Sequence, residues 1–282
     1  MKIIECPRDA MQGLDAFIPT DVKVRYLNQL LKVGFDTLDA GSFVSAKAIP
    51  QMRDTSDVMQ QIDSTSSTNI LVIVANARGA VEACRHQNIR NLGFPLSLSE
   101  TFQQRNTNQS ITTALNTLND IQDTCVKNGK ELVTYLSMGF GNPYGDPYDV
   151  EIVARFVDIL KTLNIHIISL ADTIGASSPE QISYLFKSLT RDYPSVEFGA
   201  HLHSSPAKAT QRIKAAVEAG CQRFDGAIRG FGGCPMADDE LVGNLATETI
   251  ISYLDSIHQP PSINSEEFLK AMVMADEIFP GH

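Results

Sequence analysis

The amino-acid sequence alternates short strand patterns with longer helix patterns, and this repeat limits its fold more than any other feature. Eight short runs of β-branched and apolar residues are each followed by a turn and a stretch with helical spacing of apolar residues. The runs cover residues 2–6, 37–40, 69–75, 91–96, 132–138, 166–171, 196–201 and 223–227. Eight such units close most economically into an α/β fold, a (β/α)8 TIM barrel. A doubly wound open sheet is the structural alternative.

The helix patterns carry start signals at the expected places. Helices are predicted at residues 20–33, 47–61, 111–128, 149–164, 179–192 and 206–219. Ser178 and Ser205 each precede a proline at the first helical position, where a capping hydroxyl is favoured. Two further helices, 241–256 and 266–278, follow the eighth strand. The expected organisation is a single TIM-barrel catalytic domain over residues 1–282 with extra C-terminal helices.

Charge and cysteine usage narrow the range of partners. The 282 residues carry a formal net charge of −10 at pH 7 and no run of Lys or Arg, which disfavours nucleic acid as a partner. Five widely spaced cysteines without a CxxC pair indicate a reducing compartment. We find neither a signal-peptide pattern nor an apolar run of membrane-spanning length, so a cytoplasmic protein without a membrane partner is expected. The sequence leaves the oligomeric state open, and a homodimer is compatible with it.

Most residues whose side chains could take part in catalysis or metal binding follow predicted strands. In a TIM barrel the active site is built at the carboxyl ends of the strands. These residues are Arg8 and Asp9 after the first strand, Asp39 and Ser42 after the second, Asn76 after the third, Asp172 and Thr173 after the sixth, His201 and His203 at the seventh, and the loop 230–235 after the eighth. Their convergence on one face predicts a site there.

The His201-Leu202-His203 sequence is the strongest indication of a metal ion. Strand side chains alternate with period two, so both imidazoles project to the same side and can reach one ion. Asp9 and Asn244 could supply oxygen atoms. A nitrogen and oxygen donor set suits Mg²⁺ or Mn²⁺ better than a structural zinc ion. The alternative is that both histidines are ordinary hydrogen-bonded residues at a strand end.

Structural interpretations compete at the other positions too. Arg8 could form a surface ion pair with Asp9, or face a developing enolate or carboxylate. Asp39 and Asp172 could cap helices or transfer protons. The glycine-rich loop around Cys234 could be a tight turn, or a lid that carries a reactive thiol. Nucleotide-binding glycine motifs are absent from the sequence.

Five motifs in register resemble one family over nearly the whole chain. They are Arg8-Asp9-Ala10-Met11-Gln12, Ser42-Phe43-Val44-Ser45, Asp172-Thr173-Ile174-Gly175, His201-x-His203, and Gly232-Gly233-Cys234-Pro235 followed by Gly243-Asn244-Leu245-Ala246-Thr247-Glu248. In this order the chain resembles the 3-hydroxy-3-methylglutaryl-CoA (HMG-CoA) lyases, metal-dependent barrel enzymes related to isopropylmalate, citramalate and homocitrate synthases. The Gly-Gly-Cys-Pro loop favours a lyase, because the synthases typically carry a different loop here.

The resemblance implies retro-Claisen cleavage of HMG-CoA, or a close 3-hydroxyacyl-CoA, to acetyl-CoA and acetoacetate. It implies a divalent metal ion, Mg²⁺ or Mn²⁺, held by Asp9, His201, His203 and Asn244. The implied catalytic residues are Arg8, Asp39, Asp172, His201 and Cys234, with Arg8 stabilising the enolate and Cys234 on a lid. For binding the acyl-CoA substrate we expect Gln12, Ser42, Lys47, Asn76 and Thr173.

The chain departs from the family pattern at several of these motifs. It has Ala10 where the family usually has Gly, Asp39 where it usually has Glu, and Ser204-Ser205 where an Asp usually follows the second histidine. The missing Asp predicts a change either in the orientation of His203 or in what the site accepts, because the groups that hydrogen-bond to a metal-binding histidine fix its tautomer and basicity. A Claisen-type synthase or a 4-hydroxy-2-oxoacid aldolase of the same architecture is the alternative function, and a non-catalytic barrel is a third.

Overall fold

The computed structural model describes residues 1–233 and 242–279, and within them eight strands form a closed barrel in chain order. The strands are β1 (Lys2–Glu5), β2 (Thr37–Ser42), β3 (Asn69–Ile73), β4 (Ile89–Ser97), β5 (Glu131–Ser137), β6 (Ile167–Asp172), β7 (Glu197–Leu202) and β8 (Arg223–Gly226). Every neighbouring pair is parallel, and β1 closes the barrel on β8. The prediction of a TIM barrel is confirmed.

Helices connect successive strands and continue after the last one. They are α1 (Pro7–Gln12), α2 (Thr20–Val33), α3 (Thr55–Met59), α4 (Ala77–Ala83), α5 (Glu100–Thr107), α6 (Ile111–Lys127), α7 (Val150–Thr162), α8 (Pro179–Asp192), α9 (Pro206–Glu218), α10 (Thr247–Ser256) and α11 (Ser265–Ile278). Short 3-10 turns lie at Pro50–Met52 and Ile228–Gly230. Among the described helices, none is long and apolar enough to cross a membrane.

Two predicted helices are wrong in extent. The segment 47–61 is not one helix, because Pro50 disfavours helical backbone at Ile49, which has φ −131° and ψ 81°; only the 3-10 turn and α3 form there. The helix predicted at 241–256 begins at Thr247. Before it, the described backbone is held in bridges, from Asn244 to His203 and from Ala246 to Ala227, which tie this segment to the top of the barrel.

The apolar core has one layer outside the barrel and one inside it, and polar groups lie at the carboxyl ends of the strands. Between the strands and the helices lies the large apolar layer, with fully buried residues such as Leu27, Leu118 and Phe186. Each buried side chain of this size contributes roughly 1.5–3 kcal/mol relative to exposure. Inside the barrel a smaller apolar cluster includes Leu71 and Val133. The barrel is therefore held mainly by apolar packing, which permits several charged groups to be buried at one end.

Candidate active site and metal centre

A carboxylate from α1 and two imidazoles, one from β7 and one from just beyond it, meet at the carboxyl end of the barrel. Pro7 starts α1 directly after β1, so Asp9 is held in its first turn. His201 lies on β7 and His203 just beyond it, two residues apart on one side of the strand. One potential ligand atom from each of Asp9, His201 and His203 lies within 4.8 Å of the other two. This group is a possible metal-binding site.

His203 presents an unpartnered nitrogen inside the protein. Its ring is only 3% exposed, and Nδ1 lies 3.0 Å from the carbonyl oxygen of Thr173. Nε2 has no hydrogen-bond partner among the described residues. Burial, with the nearby charge of His201, lowers the pKa of His203 to about 4, so the ring is neutral at pH 7. A neutral imidazole with a buried free lone pair fits a metal cation, since leaving such an atom unpaired is costly.

His201 is hydrogen-bonded to Asp225 of the neighbouring strand β8. Its Nδ1 lies 3.1 Å from Asp225 Oδ2, and its ring packs edge-on against Tyr135. Burial alone would lower the pKa of His201, but the hydrogen bond to Asp225 and the charges of Asp225 and Asp9 outweigh it and raise the pKa. Because this bond occupies Nδ1, only Nε2 remains for a ligand or a proton.

Arg8 joins two carboxylates at the rim of this group. Its guanidinium donates to Asp39 Oδ2 from Nε at 3.0 Å and from Nη2 at 2.5 Å, and Nη1 donates to Asp9 at 2.9 Å. The carboxylate of Asp39, one methylene shorter than Glu, therefore still reaches Arg8. Burial raises the pKa of Asp39 to about 6, although Arg8 opposes the change. Gln12 donates to the same oxygen of Asp9 at 2.6 Å and accepts from Arg8 at 2.9 Å.

Asn244 completes the group from the far end of the chain. Its Nδ2 donates to Asp9 Oδ2 at 2.6 Å and to the carbonyl of Phe231 at 2.9 Å, so a metal would take the opposite amide oxygen. The close approach depends on Gly232, whose φ is +90°. A Cβ there would lie 2.7 Å from the carbonyl oxygen of Asp9 and 2.9 Å from Asn244 Nδ2. Only glycine permits this packing.

Asp172 lies beside the group, with its oxygens engaged in the turn after β6. They accept the N–H groups of Ala176 and Ser177 at 3.0 and 2.9 Å and the Ser177 hydroxyl at 2.5 Å. Arg212 from α9 lies 3.4 Å from the same carboxylate and donates to the carbonyl of His203. The geometry thus makes Asp172 an organiser of the loops around His203, and its expected part in proton transfer stays a prediction.

The departure at Ser204 does not leave His203 without an orienting group. The Ser204 hydroxyl donates to the carbonyl of Ser205 at 3.0 Å, whereas the ring of His203 is oriented by the carbonyl of Thr173. The Thr173 hydroxyl in turn accepts the backbone N–H of Met138 at 3.0 Å. A backbone carbonyl, like a carboxylate, can accept the other ring N–H of a metal-binding histidine and so fix its tautomer.

The remaining predicted site residues lie at the rim or outside the described chain. Ser42 is buried and its hydroxyl accepts the N–H of Val44 at 3.2 Å. Lys47 is exposed in the turn after β2. Asn76 is exposed and caps α4 through the N–H of Gly79 at 2.9 Å, which is a structural role. Cys234 falls outside the described residues.

Sequence reasoning missed Asp225 and Arg212. Asp225 follows Arg223 by two residues on β8, so the alternation that singled out the two histidines also predicts that it points into the barrel. Arg212 lies in the middle of a helix and is 3% exposed. An arginine on a helix is normally solvated, and no local pattern distinguishes one that reaches a buried carboxylate.

Comparison with known proteins gives the family. The HMGL-like family model matches residues 2–274. Hydroxymethylglutaryl-CoA lyase YngG of Bacillus subtilis is 32% identical over 271 residues, 96% of this chain and 90% of the relative; the mitochondrial hydroxymethylglutaryl-CoA lyase of Mus musculus is 29% identical over 96% of this chain and 83% of its own. The structure of an HMG-CoA lyase from Acenitobacter baumannii with coenzyme A and 3-methylmalate superposes with a TM-score of 0.91 at 29% identity, covering 98% of this chain and 90% of that one. The chain belongs to the HMGL-like family.

Proposed function

We propose that this protein is a carbon–carbon lyase that cleaves HMG-CoA to acetyl-CoA and acetoacetate with the help of a divalent metal ion. The observation that carries the proposal is the meeting of Asp9, His201 and His203 at the carboxyl end of the barrel, beside a buried guanidinium, in a chain of this family. Relatives that span nearly the same length are named hydroxymethylglutaryl-CoA lyases.

Asp9, His201, His203 and Asn244 would hold the ion. The fit is supported by the buried, unpartnered Nε2 of His203 and by a donor set of two nitrogens and carboxylate and amide oxygens. Such a set without thiolates favours Mg²⁺ or Mn²⁺. When bound, the ion would polarise the tertiary hydroxyl and carboxylate of the substrate, which lowers the pKa of the hydroxyl.

The chain's own groups would handle the proton and the developing charge. A base removes the proton of the tertiary hydroxyl, the adjacent carbon–carbon bond breaks, the C–O unit becomes the ketone of acetoacetate, and the electron pair passes to a thioester enolate. His201 Nε2, in the step in which it is not bound to the ion, is our candidate for that base, because its one lone pair cannot hold the ion and take a proton at the same time. Arg8, fixed by Asp39, offers a preorganised positive charge to the enolate. Cys234 is our candidate for the acid that protonates the enolate carbon.

Residues at the rim would contact the long coenzyme A arm. Lys47 is exposed and can offer positive charge to phosphate groups in a protein of net charge −10. Ser42 ends β2, and Asn76 follows the neighbouring strand β3 at the same end of the barrel. Gln12 and Thr173, which already bond to Asp9 and His203, would contact the reacting end of the substrate.

The proposal is tested by incubating the purified protein and reductant with HMG-CoA and either Mg²⁺ or Mn²⁺. We expect metal-dependent release of acetoacetate and acetyl-CoA in equal amounts. His203→Ala should reduce the rate at least about 100-fold, since a metal ligand matters at least as much as the groups that orient it. His166→Ala, at an exposed histidine, is the matched control and should leave the rate unchanged. Absence of product from the wild-type protein, or full activity of His203→Ala, would contradict the proposal.

A further inference from the structure

The interior of the barrel places a fully buried carboxylate directly under His201. Asp225 projects inward from β8 and is 2% exposed. Its Oδ2 lies 3.1 Å from Nδ1 of His201 and accepts the hydroxyl of Ser169 at 3.2 Å. A carboxylate can only accept hydrogen bonds, so Nδ1 must carry the proton in this contact. The lone pair of the neutral ring is then on Nε2.

Below Asp225 the barrel holds a positive charge that attracts this carboxylate. Arg223 lies two residues earlier on the same strand, is 2% exposed and attracts Asp225 electrostatically. Its Nη1 donates to Glu197 at 3.2 Å. Among the described residues, Nε and Nη2 of Arg223, Oδ1 of Asp225 and the hydroxyl of Tyr135 have no hydrogen-bond partner.

A second metal site at this level is the competing interpretation. Ligand atoms of Cys6, His201 and Asp225 also lie within 4.8 Å of one another. However, the thiol of Cys6 donates to the carbonyl of Ile4 at 3.7 Å, and Nδ1 of His201 and Oδ2 of Asp225 already bond to each other at 3.1 Å. Two of the three groups are therefore engaged with one another rather than open to an ion. Asp225 therefore serves His201 as a hydrogen-bond acceptor.

We propose that Asp225 is a positioning residue that fixes His201 in the tautomer with its proton on Nδ1 and its lone pair on Nε2. The effect of this tautomer on activity rests on the proposed function, because holding the ion and taking the substrate's proton each require a free lone pair on Nε2. The geometry itself does not depend on that function. Without the hydrogen bond from Nδ1 to Asp225, the neutral ring could carry its proton on Nε2, where it would prevent both metal binding and proton transfer.

The direct test is nuclear magnetic resonance of the metal-free protein with ¹⁵N-labelled histidine. Long-range ¹H–¹⁵N correlations report which ring nitrogen is protonated, and the His201→Gln variant assigns the signal. At alkaline pH, where the ring is neutral, we expect wild-type His201 to carry its proton on Nδ1. In Asp225→Asn, whose amide can donate to Nδ1, we expect the other tautomer to be populated. A wild-type ring protonated on Nε2, or an unchanged tautomer in Asp225→Asn, would overturn the proposal.

Ser169→Ala is the matched control, because it removes the other hydrogen bond to Asp225 Oδ2 and keeps the charge. It should retain the wild-type tautomer. In Asp225→Asn we also expect Mn²⁺ to bind about 10–100-fold more weakly, as is typical when a group that orients a metal-binding histidine is lost. If Asp225→Asn does not fold, the wild-type tautomer still decides the matter. A wild-type protein with Nδ1 protonated and no lyase activity would refute the proposed function and leave the role of Asp225 standing.

Discussion

The buried carboxyl group of Glu5 makes the stability of this barrel depend on pH in an unusual direction. Glu5 ends β1 and is fully buried, with its oxygens accepting the N–H of Ile228 at 2.8 Å and the hydroxyl of Thr247 at 2.5 Å. Burial raises the pKa of Glu5 from 4.5 to about 8, despite both hydrogen bonds. Between these values the folded protein holds a proton that the unfolded chain releases, so folding becomes less favourable as pH rises.

The size of the effect follows from the two pKa values. At about 1.4 kcal/mol per pH unit, this rise costs the folded state about 5 kcal/mol by the time the pH reaches about 8. The contribution is fully present below pH 4.5 and is lost as pH rises through about 8. Glu5→Gln stays neutral and loses one hydrogen bond, at a cost of about 1 kcal/mol. We therefore expect the variant to be slightly less stable than the wild type at about pH 5 and about 4 kcal/mol more stable at about pH 8.5.

Thermal unfolding measured between these two pH values is the assay. A difference of about 4 kcal/mol corresponds to roughly 10 °C in a chain of this size. Glu218→Gln, which removes an equal charge from an exposed position on α9, is the control for the general repulsion of an acidic protein. The reasoning fails if Glu5→Gln and the wild type lose stability with pH in parallel.

Two further predictions concern groups that hold the site together. Gly232→Ala should weaken Mn²⁺ binding at least about tenfold, because its Cβ would press on the carbonyl of Asp9. Gly13→Ala, with open space at its Cβ, should leave the affinity unchanged, and equal Mn²⁺ affinities of the two variants in a calorimetric titration would refute this prediction. Arg212→Met should lower the free energy of unfolding by about 3 kcal/mol in urea, since it leaves Asp172 buried without its cation; a loss below about 1 kcal/mol would show that the pair is unimportant.

The strands and the long helices were predictable because their signals are local. Buried parallel strands are short apolar runs, and each predicted strand overlaps the observed one with ends that differ by two residues at most. The bounds of α2 and α8 match the prediction at both ends, and the side chain of Ser178 caps α8 as expected. The prediction of one helix over residues 47–61 was wrong because the apolar spacing of the segment is helical but Pro50 interrupts the helical backbone.

The candidate site was predictable to the extent that it follows from topology. Because every strand of a parallel barrel ends on the same face, Asp9 and the two histidines had to approach one another. Asn244 came from the family resemblance, and the structure places its amide against Asp9. The partners of these residues were not predictable in the same way. Only the order of the strands in the barrel shows that Asp225 lies under His201. The expectations for Cys234 remain predictions.

Mn²⁺ binding measured by electron paramagnetic resonance is the most direct test of the central claim. In a titration of the wild-type protein, free Mn²⁺ gives a sharp signal that disappears on binding. We predict one strong binding event per chain, abolished when Asp9→Ala is combined with His203→Ala and retained in His166→Ala. If the wild type binds no Mn²⁺, or the double variant binds it as tightly, then Asp9 and His203 do not form a metal centre.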